Sequence, residues 1–297
     1  MKTTIKRKFI ALAIMATAAL MTGDRRGVMS VYSQSNENAG PTVSNMKQEV
    51  KGKYAEVNGL KMYYEIHGSG QPLVLLHGAF GFAESWATIL PTLTKTHQVI
   101  ALELQGHGHT NDLDRPITCE QHVEDTAALL KQLKIMDADF FGYSMGGVVA
   151  LGVAIRHLEL VRKLAVFGSG VGPLKEIFEP ENYQQFQSLS TDFAPPILKE
   201  PYDRMSPDPT RWPILVTKIK NMGNSFKGYS AAEVKTIKAP TLIMMGDHDG
   251  MRPEHAVEMY RLIPKAQLAI FPAGDHFMLF TSPDKILATL MPFLEQK

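Results

Sequence analysis

The chain has 297 residues, of which 44% are hydrophobic and 21% charged, and its formal net charge is +1. These values are ordinary for a soluble globular protein and give no reason to expect a nucleic acid as partner. The single cysteine, Cys119, excludes an intramolecular disulfide and a thiolate metal cluster.

The first 50 residues have the composition of a targeting signal and a linker. Residues 1–22 combine a basic start, an apolar stretch and an A-x-A-like cleavage site, which together predict a signal peptide. The apolar stretch is too short for a comfortable membrane span, so we expect no stable membrane anchor; an uncleaved anchor is the alternative. Residues 23–50 are polar and predict a disordered linker. Export to a periplasm or to the medium is therefore expected.

From residue 51 onward, strand-like and helix-like segments alternate. Segments 53–57 and 61–66 flank Asn58-Gly59, the strongest short signal for a hairpin. Further strands are predicted at 72–77, 98–103, 139–143, 162–167, 241–245 and 267–271, and helices at 84–93, 119–133, 145–156, 253–262 and 283–294. Because the strands are continuous apolar runs, we predict an α/β fold with a mostly parallel central sheet flanked by helices.

The most informative segment runs from Gly142 to Gly146 and lies between a predicted strand and a predicted helix. Its G-x-S-x-G pattern, with Ser144 at the centre, predicts a nucleophile elbow in that context. Gly142 and Gly146 lack the Cβ atoms that would collide as the turn closes. The turn exposes the serine hydroxyl at a helix N-terminus, where free N–H groups stabilise developing negative charge. An ordinary glycine-rich turn is the alternative.

Residues 246–250 follow predicted strand 241–245, and residues 274–277 follow predicted strand 267–271. These two loops supply an acid and then a base after Ser144, which is the chain order expected with a nucleophile elbow. His276 is the expected base that removes the serine proton. Asp249 is the expected acid that orients this imidazole, and Asp247 is the alternative. Asp275 is adjacent to the base and is expected to bond within its own loop. The predicted triad is Ser144, Asp249 and His276.

The loop that follows strand 72–77 predicts an oxyanion hole. We expect the backbone N–H of Ala79, with Phe80 as the near alternative, to pair with the N–H of Met145 around the developing oxyanion. His77 is expected to orient this loop. An ordinary strand-to-loop turn is the alternative.

Two groups of closely spaced His and Asp residues, at 107–112 and 247–249, raise the question of a metal site. Neither group has a known metal-binding spacing, and the second lacks the later ligands of a calcium loop. We therefore expect no metal and interpret both groups as solvated loop residues.

Together these motifs resemble the α/β-hydrolase family, from about Lys53 to Leu294. The matching segments are His77-Gly78-Ala79, Gly106 to Thr110, Gly142 to Gly146, Gly246 to Asp249 and Gly274 to His276. The resemblance implies an α/β-hydrolase fold, a Ser-His-Asp triad on the three residues named above, and no cofactor. The sequence gives no sign of an obligate protein partner. Ser144 stands where haloalkane dehalogenases and epoxide hydrolases of this fold carry an aspartate, which disfavours those two chemistries.

Segment 172–236 interrupts the alternation and is expected to form a helical cap over the site, between core segments 51–171 and 237–297. Its aromatic residues form either the cap's own small core or an apolar roof over Ser144. Apolar clefts with a few polar groups are the usual small-molecule sites. The residues expected to bind substrate are Phe80, Trp86, Trp212, Phe226, Met251 and Phe277.

The predicted function is a serine hydrolase that cleaves a carboxylic ester or lactone through an acyl-enzyme, on a bulky apolar substrate. This small molecule is the only partner expected. The overall pattern also resembles serine esterases that open macrolide-antibiotic lactones and thereby confer resistance. The alternatives are a cofactor-free perhydrolase or a carbon–carbon bond hydrolase of the same fold, and a binding module that kept the fold without turnover.

Overall fold

An eight-stranded sheet forms the centre of the computed structural model, which describes residues 52–296. The strands are β1 (Lys53–Val57), β2 (Leu60–His67), β3 (Gln71–Leu76), β4 (His97–Leu102), β5 (Ala138–Tyr143), β6 (Val161–Phe167), β7 (Thr241–His248) and β8 (Ala266–Asp275). Their order is β1-β2-β4-β3-β5-β6-β7-β8; β2 is antiparallel to β1 and β4, and the other pairs are parallel. The predicted mostly parallel sheet is confirmed. The predicted signal peptide and linker lie outside the described residues.

The hairpin that joins β1 to β2 turns at the predicted dipeptide. Asn58 and Gly59 both have positive φ angles, 50° and 78°. A two-residue hairpin turn of type I′ requires positive φ at both positions, which asparagine and glycine adopt most easily. The local sequence alone therefore accounts for this turn.

Helices cover the sheet. They are α1 (Leu90–Leu93), α2 (Cys119–Gln132), α3 (Met145–Arg156), α4 (Leu174–Ile177), α5 (Pro180–Gln187), α6 (Pro196–Met205), α7 (Trp212–Ser225), α8 (Ala231–Val234), α9 (Pro253–Leu262), α10 (Met278–Thr281) and α11 (Pro283–Glu295), with 3-10 turns at Ala83–Trp86, Leu158–Leu160 and Pro209–Arg211. The predicted helix 84–93 is wrong, because it is split into a 3-10 turn and α1. Pro91 has no N–H to bond the Ala87 carbonyl, and its ring would clash there.

Two apolar layers lie on opposite faces of the sheet. Along β3, Val74 and Leu76 belong to one layer and Leu73 and Leu75 to the other, as the alternation of side chains in a strand requires. All four are fully buried, and each such burial contributes about 1.5–3 kcal/mol to stability. This double burial is why the strands are continuous apolar runs.

Helices α4 to α8 lie between β6 and β7. We call segment 172–236, in which they lie, the cap. It contributes much of the apolar wall of a cavity at the carboxyl ends of the parallel strands, described below. In the part of the chain that the structure describes, no helix has the length and apolar character needed to cross a membrane.

Candidate active site

Ser144 forms the turn between β5 and α3 with φ 53° and ψ −122°. Positive φ is strained for a residue with a side chain, and surrounding contacts must hold it. A Cβ on Gly142 would lie 2.5 Å from the Gly146 carbonyl oxygen, and one on Gly146 would lie 2.0 Å from that of Leu76. The Ser144 N–H donates to the Phe167 carbonyl at 2.9 Å. The turn thus has the geometry of a nucleophile elbow.

A hydrogen-bonded chain joins the three residues of the predicted triad. The Ser144 hydroxyl lies 3.0 Å from His276 Nε2, and His276 Nδ1 lies 2.8 Å from Asp249 Oδ1. A carboxylate only accepts hydrogen bonds, so Nδ1 carries the proton and Nε2 is free to accept the serine proton. Asp249 and His276 are both buried. The arrangement can therefore activate a serine oxygen.

The two other candidate acids bond elsewhere. Asp247 is exposed and accepts the Gly274 N–H at 3.2 Å, whereas Asp275 accepts the Phe277 N–H at 2.9 Å. Both stabilise the loop that carries His276. The geometry therefore favours Asp249 over Asp247 as the acid.

Tyr143 supports the base in a way that the sequence did not indicate. Its hydroxyl donates to the His276 carbonyl at 3.0 Å, and burial raises the pKa of Tyr143 well above its ordinary value. The phenol therefore stays protonated and keeps donating. Its position next to the nucleophile in the G-x-S-x-G pattern was the only signal that could have pointed to it.

The loop after β3 lies beside Ser144, and His77 holds its shape. The Leu104 N–H donates to His77 Nε2 at 3.1 Å, and Nδ1 donates to the Gly78 carbonyl at 2.7 Å. Burial, with a smaller effect of nearby His107, lowers the pKa of His77 to about 3, so the ring is neutral. These contacts are the ones expected of a residue that orients the loop.

Two backbone N–H groups are free near the serine hydroxyl. Ala79 and Met145 both line the cavity that contains Ser144, and within residues 52–296 their N–H groups donate no hydrogen bond. Phe80 has a φ of 62°, and its ring packs against Phe193 and Trp212. Phe80 does not line this cavity, so the pair Ala79 and Met145 suits an oxyanion hole better than a pair with Phe80 does.

Glu103, at the end of β4, is a supporting residue that sequence reasoning missed. It is fully buried and accepts the Ala83 N–H at 3.0 Å, and it also accepts the His109 N–H. Hydrogen bonding to Glu103 raises the pKa of His109 above its ordinary value. We call the loop after β3, residues 77–82, the oxyanion loop. Glu103 thus ties the turn at Gly106–Thr110 to the 3-10 turn that directly follows the oxyanion loop. A charged residue directly after a buried strand was the available signal.

The interpretation of group 107–112 as solvated is wrong. His107 is fully buried, and its Nδ1 lies 2.9 Å from the Gln105 carbonyl. The Asp112 side chain is 3% exposed and binds Arg211 at 2.6 Å and Lys218 at 2.8 Å, both on the cap. Although burial alone would raise it, hydrogen bonds from the two cations hold the pKa of Asp112 below its ordinary value. Asp112 thus ties the cap to the core, whereas His107 bonds within its own loop.

At its other end, the cap is tied to the loop that carries Asp249, the predicted triad acid. The Glu179 N–H donates to the Gly250 carbonyl at 3.0 Å, and the Arg252 N–H donates to the Ile177 carbonyl at 2.8 Å. The buried amide of Asn182 donates to the same Gly250 oxygen at 2.9 Å. Backbone pairing therefore connects α4 and α5 directly to the residues after Asp249.

A cavity of about 80 Å³ lies between cap and core, with Ser144 and His276 in its wall. Apart from the triad, its polar side chains are Ser169 and Cys119. Burial raises the pKa of Cys119 to about 12, so its thiol stays protonated. Among the described residues, the lining contains no lysine, arginine, asparagine or glutamine. The side chains that the cap contributes are mostly apolar: Leu174, Ile177, Phe178, Phe186, Ile219, Met222 and Phe226.

The structure brings two of the six predicted substrate-binding side chains to the cavity, Phe226 and Met251. The other four, Phe80, Trp86, Trp212 and Phe277, do not line it. Trp86 lies in an apolar layer of the sheet core, 5.5 Å from the Phe141 ring, and Phe277 packs against that same layer. These large rings are used for packing.

Trp212 is part of the junction between the cap and the oxyanion loop. Its ring centre lies 5.0 Å from that of Tyr202 and 5.2 Å from that of Phe80, and its indole N–H donates to the Phe193 carbonyl at 2.7 Å. Trp212 is only 1% exposed. It is therefore a core residue of the cap.

No three His, Cys, Asp or Glu side chains of residues 52–296 come together as a metal site requires. Of group 247–249, Asp247 and His248 are exposed and Asp249 is buried against His276. The interpretation of this group as solvated therefore fails for Asp249 alone.

Comparison with known proteins identifies the fold and the general chemistry. The sequence profile of the Alpha/beta hydrolase family matches residues 73–289. The chain is 27% identical over 267 residues to 2-hydroxy-6-oxo-6-(2'-aminophenyl)hexa-2,4-dienoic acid hydrolase of Metapseudomonas resinovorans, which covers 82% of this chain and 91% of the relative. It is 26% identical over 259 residues to pimeloyl-[acyl-carrier protein] methyl ester esterase of Photobacterium profundum, covering 78% and 98%.

A solved structure is also similar. The chain matches a serine hydrolase involved in carbazole degradation (CarC enzyme) with a TM-score of 0.69 and 25% identity, over 84% of this chain and 100% of that one. The predicted α/β-hydrolase fold and the prediction of a hydrolase are confirmed. The relatives differ in what they hydrolyse, so the bond cleaved here has to be argued from the site.

Proposed function

Since the chain belongs to the alpha/beta hydrolase family, we propose that it is a serine hydrolase that cleaves a neutral carboxylic ester or lactone through an acyl-enzyme. The hydrogen-bonded chain from Ser144 through His276 to Asp249 supports this chemistry. His276 accepts the hydroxyl proton as the serine oxygen attacks the ester carbonyl carbon. Asp249 keeps the proton on Nδ1 and stabilises the imidazolium that forms.

The tetrahedral intermediate carries its negative charge beside the free N–H groups of Ala79 and Met145. Donors that are already oriented toward this charge stabilise it without rearrangement, and one such donor contributes about 3–4 kcal/mol. His276 then gives its proton to the departing alcohol oxygen, leaving the acyl group on Ser144. A water molecule, deprotonated by His276, attacks the acyl-enzyme and releases the acid.

One observation supports an ester over the carbon–carbon alternative: the cavity lining contains no cationic or amide side chain. The relative from Metapseudomonas resinovorans is named for a dienoic acid with a 6-oxo group. Such a compound has no ester bond, so its hydrolysis breaks a carbon–carbon bond, and it carries a carboxylate. Burying a carboxylate without a cationic partner is costly, and the side chains that line the cavity include no lysine or arginine. A neutral substrate fits this lining better.

The size of the cavity limits the group that enters it. About 80 Å³ accommodates a slender chain, whereas pockets that enclose a drug-sized molecule measure roughly 300–1,000 Å³. The bulky substrate expected from the sequence therefore fits only if its large part stays outside or the cap moves. A macrolide lactone belongs to that class, and we keep it as one arm of the test.

The test is a panel of p-nitrophenyl esters from acetate to dodecanoate, together with a macrolide lactone and a 6-oxo dienoic acid. We expect turnover of esters with short or medium acyl chains and none of the dienoic acid. Peracid formation from acetate and hydrogen peroxide tests the perhydrolase alternative. Preferential turnover of the dienoic acid would show that the ester assignment is wrong.

A matched variant tests the nucleophile. Ser144→Ala keeps a small residue at the elbow and removes only the attacking oxygen, so it should lower kcat by about 10⁶-fold at an unchanged melting temperature. Phenylmethylsulfonyl fluoride should add its sulfonyl group to Ser144 in the native protein, detected by peptide mass spectrometry. Labelling at another residue, or a tenth of the activity left in Ser144→Ala, would contradict the mechanism.

A further inference from the structure

Gly223 lies inside helix α7 and lines the cavity. Its φ angle is not positive, so its backbone conformation is one that any residue adopts. A glycine in the interior of a helix is less favourable than an alanine, because it loses more backbone freedom on folding. Backbone geometry therefore does not explain a glycine at this position, and the explanation has to come from the space around it.

Two other side chains of the cap take up that space. A Cβ on Gly223 would lie 2.5 Å from Phe186 Cζ and 2.8 Å from Leu174 Cδ1, and both distances are shorter than real Cβ contacts. Phe186 lies on α5 and Leu174 on α4, and both line the same cavity as Gly223. The missing side chain of Gly223 therefore lets these two side chains lie back against α7.

Hydrogen bonds hold α5 at a fixed distance from α7 and from the core. At the end of α5, the Gln187 side chain donates to the Asn224 side chain of α7. Near the start of α5, the Asn182 amide donates to the Gly250 carbonyl at 2.9 Å. Phe186 lies between these two anchors and is only 1% exposed. Because protein interiors are close-packed, the cavity is the nearest free space for a displaced Phe186 ring.

We propose that Gly223 sets the size limit of the acyl group that the cavity accepts. With glycine at this position, Phe186 and Leu174 leave room for an unbranched acyl chain of medium length on Ser144. With a larger residue, the same two side chains stand in the cavity, and only a short acyl group fits. The enclosed cavity suits the acyl part, because this part stays attached to Ser144 while the alcohol leaves and water enters. This inference rests on the proposed ester hydrolysis and narrows its substrate class to esters of unbranched acids.

The experiment compares wild type with Gly223→Ala on p-nitrophenyl acetate and p-nitrophenyl heptanoate. We expect Gly223→Ala to lower kcat/KM for heptanoate about 10-fold or more, and to change kcat/KM for acetate less than about 2-fold. Heptyl acetate carries its long chain on the alcohol, so its kcat/KM should change as little as that of p-nitrophenyl acetate. Asn221→Ala is the matched control: it places alanine at an exposed position of the same helix that does not line the cavity, and it should change none of these values.

Phe186→Leu gives a second test that does not depend on the folding of Gly223→Ala. A smaller side chain at position 186 enlarges the cavity. The ratio of kcat/KM for p-nitrophenyl cyclohexanecarboxylate, whose acyl group is wider at the same number of carbons, to that for heptanoate should therefore rise about 10-fold.

The double variant Phe186→Leu/Gly223→Ala tests the contact itself. The added methyl group takes the place of the ring atom that Phe186→Leu removes, so the two changes should compensate each other. We expect kcat/KM for heptanoate to return to within about 3-fold of wild type. A loss in the double variant as large as in Gly223→Ala would contradict the proposed displacement of Phe186.

The remaining outcomes separate this inference from the proposed function. An equal loss on acetate and heptanoate, or a lower melting temperature of Gly223→Ala at an unchanged ratio of the two esters, would make Gly223 a packing residue alone. A loss on heptyl acetate as large as that on p-nitrophenyl heptanoate would place the alcohol beside Gly223 and overturn the acyl assignment. An unchanged ratio in Phe186→Leu would overturn the inference even if Gly223→Ala does not fold. If wild type hydrolyses none of the esters, the proposed function itself fails.

Discussion

The carboxyl edge of the sheet and the cap that covers it hold their side chains in different ways. At the sheet edge, each reacting group is fixed by hydrogen bonds: Phe167 accepts from the Ser144 backbone, Tyr143 donates to the His276 backbone, and His276 bonds Asp249. The side chains that the cap brings to the cavity are mostly apolar, and they are positioned by packing alone.

This difference separates two tasks. Hydrogen bonds are directional and define positions to a few tenths of an ångström, as proton transfer requires. Apolar contacts are not directional and tolerate changes of shape, as a binding wall allows. Changes at the sheet edge should therefore alter the chemistry for every substrate, and changes in the cap should alter stability or substrate choice.

After the loss of the nucleophile itself, the largest effect should come from the acid. Asp249→Asn keeps the shape of the side chain but favours the wrong tautomer of His276, and the equivalent change in another serine triad lowers kcat about 10⁴-fold. We expect a loss of similar size on every ester, measured as kcat. The exposed Asp247→Asn is the matched control, and it should cost less than about 10-fold. A reversal of this order would move the acid to Asp247.

Trp212→Ala should show that a large cap aromatic can act on stability alone. Removing this fully buried ring should lower the free energy of unfolding by about 3–5 kcal/mol, measured by denaturant titration. Ile214→Ala, at a 41% exposed position of the same helix, should change it by less than about 0.5 kcal/mol. At temperatures where Trp212→Ala is folded, its acyl-chain preference should match wild type. A changed preference would place Trp212 in contact with substrate.

Lowering the pH should destabilise the protein through the buried side chain of His107. Burial lowers the pKa of His107 to about 4, whereas an unfolded histidine titrates near 6.5. The unfolded chain therefore binds more protons in this range, and stability that is complete above about pH 6.5 falls as the pH approaches 4. His107 alone should contribute about 3 kcal/mol to the loss at pH 4.

The variant His107→Gln isolates this contribution. It replaces the imidazole by a neutral side chain, so the free energy of unfolding should depend less steeply on pH between 6.5 and 4. The exposed His248→Gln is the control and should keep the wild-type slope. An unchanged slope in His107→Gln would mean that His107 binds its proton equally in the folded and the unfolded protein, and that burial does not lower its pKa.

The smallest and most selective effect should come from Phe226, which lines the cavity. Phe226→Ala removes contacts with the acyl chain. The transition state for p-nitrophenyl heptanoate should therefore lose about 1–3 kcal/mol of stabilisation, measured as a lower kcat/KM, and kcat/KM for p-nitrophenyl acetate should change little. Phe193→Ala is a matched control, because this ring packs against Phe80 and does not line the cavity. Equal losses on both esters would make Phe226 a packing residue as well.

Local patterns predicted the parts of the molecule whose geometry is local. The Asn58-Gly59 turn and helix α3 were predicted at the residues where they occur, because positive φ and tight turns select particular residues within a few positions. The meeting of Ser144, Asp249 and His276 could likewise be predicted, because each follows a strand and the carboxyl ends of parallel strands lie at one edge.

The choice between Asp247 and Asp249 depended on a feature that local patterns do not contain. Side chains two residues apart point to the same side of a regular strand. Here β7 continues to His248, and its register with β8 shifts between Gly246 and His248. This irregularity separates the two carboxylates, and it arises from pairing with a strand formed by residues much later in the chain.

The side chains that line the cavity were the least predictable part of the site. Trp86 and Trp212 are both large and apolar, and nothing in their neighbours along the chain indicates which wall they face. Trp86 packs on Phe141 and Trp212 on Phe80, each across a long separation in sequence. The side chains that line the cavity are those that remain beside it once such packing is complete, so they could not be chosen by residue type.

The pairing between the cap and the acid loop has a consequence for protein engineering. Gly250 accepts hydrogen bonds from both Glu179 and Asn182, and Arg252 donates one to Ile177. The cap and the loop that carries Asp249 should therefore be exchanged together. A chimera that replaces residues 172–236 alone would break this pairing at the residue after Asp249. Transplanting residues 249–252 together with the cap preserves the backbone that aims the carboxylate, and new specificities should be built on that larger unit.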